Sequence, residues 1–598
     1  MTRSGLAVGA VVMLGAIGGS SAGGTVSGPP QGQTDGSFAG SYGVAGVTNV
    51  SATTQRTSCY KPEVLYNGTL ALTNPLYPGG GSTTCAPGTA TTGENQGPFP
   101  DTQDTAGQAN PSLLVKDHSE SDIRVDPTDP THRHLIAQSK WFVNAEGYNH
   151  LLGFYESWDG GATWPVQGHV PGYEGWTDNT DPVGAFDPFG NFYSLTLPYQ
   201  FYYDKSGGHV YNNGSNQTNP TVPPEAIAVS VRPRTAGTDP NAWITKHNGH
   251  PDYVSTAKNA NTYDPDKQWI AIDTNKKLPG TTQDNPCYGT VYAMYTIFRS
   301  SNPSTVFVST AKANADGTHS DWTPAQLLPT RNGKPWDSYL LPHVTPNGTV
   351  YTTLTNGPAQ QGFSGADVDL ISSSDCGQTW KSPLPVVTGI NVPTYNNTTF
   401  REGIVNTFAV GSHAVAPGTY PLYVAWEDGS SGVSNIWLTA SYDHGAHWTT
   451  PILVNDNASP VDELQPNLAV DAASGKVAVA FYDRRLPCEN SAAAGSQFDP
   501  VAAAGASNYC VNTAVQFYDA SLHPLGHNVR ASAHTWDPQL NAPHTGSITG
   551  AGTFIGDYFG IDSTGSAMVT TSVSTYDYAG ENQSHYQQQI VAKVPIPS

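Results

Sequence analysis

Charge is scarce in this sequence, positive charge most of all. Charged residues make up 12% of the 598, and 26 lysines and arginines face 48 aspartates and glutamates, a formal net charge of −22. A chain this acidic is repelled by a polyphosphate backbone, which argues against a nucleic-acid partner; the acidity equally suits solubility outside the cell. Long apolar runs are missing too. No stretch beyond the N-terminus reaches the ~18 apolar residues of a membrane-spanning helix, so no membrane insertion is expected. Cysteines number six, and none has the close Cys/His spacing of a thiolate zinc site. No cofactor is expected, with a structural Ca²⁺ left open.

What the sequence does hold is Gly 62, Pro 47 and Tyr 30. Abundant turn formers beside aromatic and β-branched residues point to an all-β domain, a sandwich or a propeller. Residues 1–22 read as a secretory signal: Arg3 gives the positive start, 6–17 the short apolar core, and Ser20, Ser21 and Ala22 the small-residue cleavage site. Six cysteines fit the oxidising compartment that export implies. Asn67, Asn213, Asn347, Asn397 and Asn582 open glycosylation sequons. Residues 23–110, rich in Gly, Thr, Ser, Pro and Gln, read as a lead-in or linker.

From 111 to 598 the texture becomes short apolar strands broken by turn residues, and a repeat emerges. A strand ending near Asp is followed by a Gly-containing turn and a second strand. Seven units show it: 123–126 with 134–137, 185–193, 269–273 with 289–292, 343–351, 406–410 with 422–426, 467–471 with 475–479, and 558–562 with 565–569. One such sheet cannot bury both its faces, whereas stacking around an axis can. Seven units predict a seven-bladed β-propeller closed by pairing the two chain ends, with six blades as the alternative.

A second motif is sharper. Ser157, Asp159, Gly161, Thr163 and Trp164 make a full Ser-x-Asp-x-Gly-x-Thr-Trp, as do Ser373, Asp375, Gly377, Thr379 and Trp380. Ser441, Asp443, Gly445 and Trp448 repeat it with His447 for Thr, and Asp316, Gly317 and Trp322 form a decayed copy. The chemistry is structural: Ser and Asp bond their own hairpin backbone, Gly takes the positive φ, and Trp packs between sheets.

These motifs resemble the Asp-box, the bacterial neuraminidase repeat of the sialidase-like superfamily, as do the phrases at 266–273, 481–485 and 554–560. The resemblance covers roughly 115–598. It implies a propeller whose Asp-boxes join third to fourth strands on one face, leaving a binding mouth on the other. Cys287 and Cys376 then share the box face and can pair, while Cys59 with Cys85 and Cys488 with Cys510 are local candidates.

On the opposite face, acids head the innermost strands: Asp122, Asp181, Asp266, Asp337, Glu402, Glu463 and Asp557. Second strands exit through Trp141, Arg299, Glu427, Asp428, Asp483, Arg484 and Arg485. The resemblance implies a secreted glycosidase with a Tyr nucleophile, a Glu base, an Asp acid and an Arg clamp on a substrate carboxylate, because the guanidinium fork binds carboxylate bidentately. Tyr558 is the candidate nucleophile, with Glu463 or Glu402 as its base and Asp266, Asp337 or Asp557 as the acid. Arg401, Arg484, Arg485 and Arg299 are candidate clamps, and Trp141, Trp176 and Trp336 candidate platforms for sugar rings. The Arg-Ile-Pro phrase common in sialidases is absent; Arg124 sits in Ile-Arg-Val-Asp instead. The expected partner is carbohydrate, with an acidic sugar as one candidate, and the protein is expected to be a monomer. Two other readings stand beside this one. A polysaccharide lyase on a uronate-containing glycan would use a Tyr or a His such as His343 or His413 as its base, and a non-catalytic binding propeller would use the aromatics alone.

Overall fold

The computed structural model describes residues 55–56, 117–142, 150–173, 178–199, 202–203, 217–218, 223, 225–244, 251–257, 263–299, 304–331, 335–357, 365–393, 395, 400, 403, 406–457, 460–486, 508–532, 534–538, 544–545, 552–575 and 587–598. The signal sequence and almost all of the lead-in lie outside them.

Seven four-stranded antiparallel sheets account for most of the described chain. In order from the axis outward, blade 1 is Asp117–Val125, Leu135–Phe142, His150–Ser157 and Val166–His169; blade 2 is Asp178–Phe186, Phe192–Tyr199, Glu225–Arg232 and Asp252–Ala257; blade 3 is Asp264–Ile272, Thr290–Phe298, Thr305–Lys312 and Gln326–Leu327. Blade 4 is Trp336–Val344, Val350–Gly357, Ala366–Ser373 and Leu384–Ile390; blade 5 is Asn406–Val410, Leu422–Asp428, Asn435–Ser441 and Ile452–Leu453; blade 6 is Glu463–Val470, Val477–Asp483, Asn512–Tyr518 and Val529–Arg530. Blade 7 takes Gly560–Ser563, Ala567–Ser574 and Gln588–Pro595 from the end of the chain and its outermost strand, Gln55–Arg56, from the beginning, paired as Gln55 with Val591 and Arg56 with Ile590. Each innermost strand packs on the next, and the seventh packs on the first. The ring is closed, and all seven sequence repeats fall on innermost and second strands.

Second strands lie between neighbouring blades and are buried on both faces, so their sequences are nearly continuously apolar: Thr290–Phe298 reads TVYAMYTIF and is buried throughout. The core is accordingly a set of layers between blades. One joins Tyr193 and Leu195 of blade 2 to Ile270 and Val291 of blade 3, and another joins Ala478 and Tyr482 of blade 6 to Ile561 and Met568 of blade 7. Close approach at the closing seam needs glycine: a Cβ on Gly560 would meet the Ile123 nitrogen at 2.5 Å.

The Ser-x-Asp turns sit between third and fourth strands of blades 1, 4 and 5. In blade 1 the Asp159 carboxylate accepts from Ser157 Oγ at 2.8 Å, Thr163 N at 2.8 Å and Thr163 Oγ1 at 2.6 Å. Asp375 and Asp443 accept the same set, with the His447 ring replacing a hydroxyl. Blade 6 has a further version that lacks both Gly and Trp, in which Asp519 accepts from Ser521 N, His523 N and the His523 ring. We call this side the turn face. On it Cys287, just before the second strand of blade 3, is bonded to Cys376 in the blade 4 turn, the pairing the topology predicts. Cys510 is also in a disulfide; Cys59, Cys85 and Cys488 lie outside the described residues. No helix among the described residues is long and apolar enough to cross a membrane.

Replacing Asp159 with Ala removes three bonds to a carboxylate, which should lower stability by about 2 kcal/mol and leave the far face intact. Chemical denaturation followed by tryptophan fluorescence checks the loss; a variant as stable as the parent would contradict the role given to this turn.

Candidate functional site

On the face opposite the turns, the head of an innermost strand repeats one local distortion. The ladder to the second strand slips between Ser119 and Asp122 in blade 1, Thr180 and Val183 in blade 2, Asp266 and Trp269 in blade 3, Ser338 and Leu341 in blade 4, and Leu464 and Asn467 in blade 6. Within each slip one non-glycine residue takes a left-handed backbone: Glu120, Asp181, Lys267 and Gln465 at φ 52° and Tyr339 at 53°. Gly556 has φ 102° in the corresponding place of blade 7. Such a conformation costs about 1–3 kcal/mol per residue and persists only where its surroundings enforce it.

The bulge residues meet on the axis. The Lys267 ammonium of blade 3 binds Asp557 Oδ2 of blade 7 at 2.7 Å, Asp181 Oδ2 of blade 2 at 3.1 Å and its neighbour Asp266 Oδ1 at 3.7 Å. Blades 3 and 7 are not adjacent, so this contact spans the channel mouth. Glu120 of blade 1 accepts from Thr180 Oγ1 at 3.0 Å and the Asp181 nitrogen at 3.2 Å, and Lys140 Nζ stands 3.6 Å away. Gln465 donates to the Gly556 carbonyl at 2.6 Å. Gly403, ahead of blade 5, lies over Asp557 so closely that a Cβ would meet its carboxyl carbon at 2.4 Å. Glu120, Asp181 and Asp557 bring carboxylate oxygens within 4.8 Å of one another, a donor set of the kind that holds a cation; the Lys267 ammonium already brings positive charge to it.

Four carboxyls around so few cations divide into different protonation states. Burial, then the charge on Asp181, pushes Glu120 up to about 8. Burial raises Asp266 to about 6, against the pull of Lys267. Asp181 goes the other way: burial opposes it, but the ammonium groups of Lys267 and Lys140 hold it well below the usual carboxylate range. Lys267, despite burial, is held well above the usual lysine value by Asp181, Asp266 and Asp557. One ionised carboxylate beside carboxyls of raised proton affinity is the division of labour of acid–base chemistry. The side chains of Lys267 and Asp266 are each 13% exposed, against 1% for Glu120 and Asp557, so the first two meet solvent.

The sequence candidates divide sharply. Asp266 and Asp557 are in this cluster, and Tyr558 lies beneath it against Trp269, ring centroids 5.3 Å apart. The Tyr558 hydroxyl donates to the Pro182 carbonyl at 2.8 Å, and burial, with the charge of Glu120 next, raises its phenol well above the ordinary value, an environment opposed to a phenolate nucleophile. Asp337 heads blade 4, and burial pushes it up to about 7. Glu463 is buried in blade 6 opposite Asp483. Arg484 binds Asp462 at 3.2 Å, while Arg485 binds Asp456 at 2.5 Å and Asp483 at 2.7 Å; both guanidinium groups are buried, and their forks are turned to the protein. Arg299 stands at the rim, its guanidinium 5.7 Å from the Tyr263 ring centroid, and near it Trp336 stacks on Phe298. Arg401, Glu402 and Trp176 lie outside the described residues, as does the side chain of Trp141. Glu120, Lys140, Lys267 and Gln465 escaped the sequence reading. A signal existed: Glu120, Asp181, Lys267 and Gln465 each stand six residues before the Asp that ends the unit, at 126, 187, 273 and 471.

No protein-family model and no curated protein sequence matches the chain. Solved structures similar to it include a Hadza microbial sialidase (10% identity, TM-score 0.38, 77% of this chain and 73% of that one), a NanB sialidase variant from Streptococcus pneumoniae (12%, 0.35, 82% and 71%) and an α-L-arabinanase from Penicillium chrysogenum (10%, 0.35, 69% and 92%). Sialidases and an arabinanase are thus among its structural neighbours. At these identities and scores the likeness carries no information about activity.

Lys267→Met leaves Asp181, Asp266 and Asp557 facing one another without their shared ammonium. Removing one partner of a buried ion pair costs about 3–5 kcal/mol, and protonating the carboxylates should recover part of the loss. Thermal melts should therefore show a large fall in Tm at pH 7 and a smaller one at pH 4. An equal fall at both would mean that Lys267 acts by packing and not by charge.

Proposed function

We propose that this chain is a secreted glycoside hydrolase of sialidase-like, Asp-box type, acting on an extracellular glycan at its axial mouth. The observation that carries the reading is the pair Asp181 and Asp266, one held ionised and the other raised to about 6, both on the Lys267 ammonium and thus no further apart than those two short contacts together allow. Glycosidic cleavage asks for such a pair across the scissile bond. Asp266 donates its proton to the leaving oxygen, and Asp181 acts on the opposite side of the sugar as nucleophile or base. Lys267 keeps Asp181 charged, and Glu120 is a second protonated carboxyl behind it. Trp336 on Phe298 and Tyr263 under Arg299 supply rim surface on which a sugar ring can stack. With Arg484 and Arg485 committed to buried acids and the axis rich in carboxyls, a neutral glycan suits the mouth better than an acidic sugar.

A second reading is a non-catalytic carbohydrate-binding propeller, favoured by the near-complete burial of Glu120 and Asp557. One screen separates the two. Purified protein incubated with neutral and acidic glycans should release reducing sugar, and Asp181→Asn and Asp266→Asn should each lower kcat at least 100-fold, in the range of an acid–base contribution, with near-ultraviolet circular dichroism unchanged. Retention on a glycan column without any product would establish the binder. A product absorbing as an unsaturated uronate would establish a lyase.

A further inference from the structure

The mouth face carries carboxyls in close pairs that are short of positive charge. In blade 6 Glu463 and Asp483 stand directly opposite each other in the ladder, a placement that repels when both are ionised. Both are buried; Arg485 takes Asp483 at 2.7 Å, while neither oxygen of Glu463 has a hydrogen-bond donor among the described residues. Between blades 2 and 3, Glu225 heads a third strand and Asp264 an innermost strand. Their carboxyls are buried and lie close to each other, an approach that two ionised carboxylates oppose and a proton on one of them permits. Among the described residues no donor reaches either Glu225 oxygen or Asp264 Oδ2.

The surrounding charges do not relieve these pairs. Glu225 and Asp264 face Asp266 and Asp181, with Lys267 the cation opposing them. Glu463 faces Asp483 and Asp456, with Arg485 opposing, and Asp456 is itself shared between Arg485 and His527. We propose that the two pairs are proton-held seams, which keep the strand heads of the mouth face shut in acid and let that face loosen as the medium turns neutral and then alkaline. The inference stands whether or not the mouth is catalytic.

The sign follows from linkage. Burial raises Glu225 and Glu463 above the value of 4.5 that an unperturbed glutamate has. Above that pH the folded chain keeps protons that the unfolded chain has released, so each seam contributes fully in acid and its contribution falls as pH rises, by up to about tenfold in the unfolding equilibrium per pH unit. The Ser-x-Asp turns have no such dependence in this window. Asp159, Asp375 and Asp443 lie below the usual value because, against burial, hydroxyl and backbone donors hold them ionised; their contribution is lost only in stronger acid.

The test is amide hydrogen exchange by mass spectrometry on the intact wild-type chain at pH 5 and pH 8, corrected for intrinsic rates. Peptides covering 225–232, 264–272 and 463–470 should lose protection at pH 8, while those covering 157–166 and 373–384 keep it. Glu225→Gln and Glu463→Gln supply a donor that does not titrate, and each should flatten the decline of stability between pH 5 and 8 and exceed the parent at pH 8. Equal exchange of the two faces at both pH values, or folded Gln variants with the parent's slope, would overturn the proposal. The comparison of faces needs no substitution, so it decides even where a variant fails to fold.

Discussion

Convergence is the constraint on which this molecule depends. Seven sheets set around one axis bring the heads of their innermost strands so close that side chains from non-adjacent blades touch, and Lys267 reaching Asp557 is the clearest case. Polar groups placed there must settle their charges among themselves, because little solvent reaches them. One ammonium serves Asp181, Asp266 and Asp557, and what it cannot neutralise is removed by protonation. The unequal proton affinities of Glu120, Asp266 and Asp181 follow from that shortage, and they are what makes the mouth chemically interesting.

The backbone is shaped to the same end. A regular strand would send alternate side chains into the interblade layers; the extra residue in each bulge turns one toward the axis instead. That five such residues are not glycine, and hold nearly the same left-handed φ in five blades, shows strain repeated by design of the ring and sustained by the packing on either side. Where blade 7 crowds blade 1, the residue in that place is Gly556, whose Cβ would meet the Glu120 nitrogen at 2.6 Å. The same register thus holds a side chain where the axis has room and hydrogen where it has none.

How far this was legible in the sequence depends on the range over which each feature is encoded. The Ser-x-Asp turns are local, so Asp159, Asp375 and Asp443 could be read from a few residues, and the order of strands around those turns placed Cys287 beside Cys376. The repeat gave seven blades because burial on both faces of the second strands leaves a long apolar signature. The axial cluster is encoded at a distance. Glu120 and Lys267 acquire meaning only when four blades meet, and the six-residue spacing that marks them is visible once the bulge is known. The arginines were read without their partners, which are distant in sequence or unmarked by any motif: where positive charge is this scarce, buried acids take up the guanidinium groups, and Arg484 and Arg485 are bound to Asp462, Asp456 and Asp483.

The Ser-x-Asp turns and the mouth-face strand heads therefore treat the same chemical group in opposite ways. On the turn face a carboxylate such as Asp159 finds N–H and O–H donors within its own hairpin, stays ionised and closes the loop locally. On the mouth face Glu225 and Glu463 sit buried at strand heads where no donor among the described residues reaches their oxygens, and the proton takes the place of one. A face built from self-sufficient turns can stay rigid while the other responds to its surroundings. That asymmetry needs no hinge and no second conformation of the blades. It follows from where along a strand the acid is placed, and it puts the responsive chemistry of the protein at the end of the channel where a ligand would arrive.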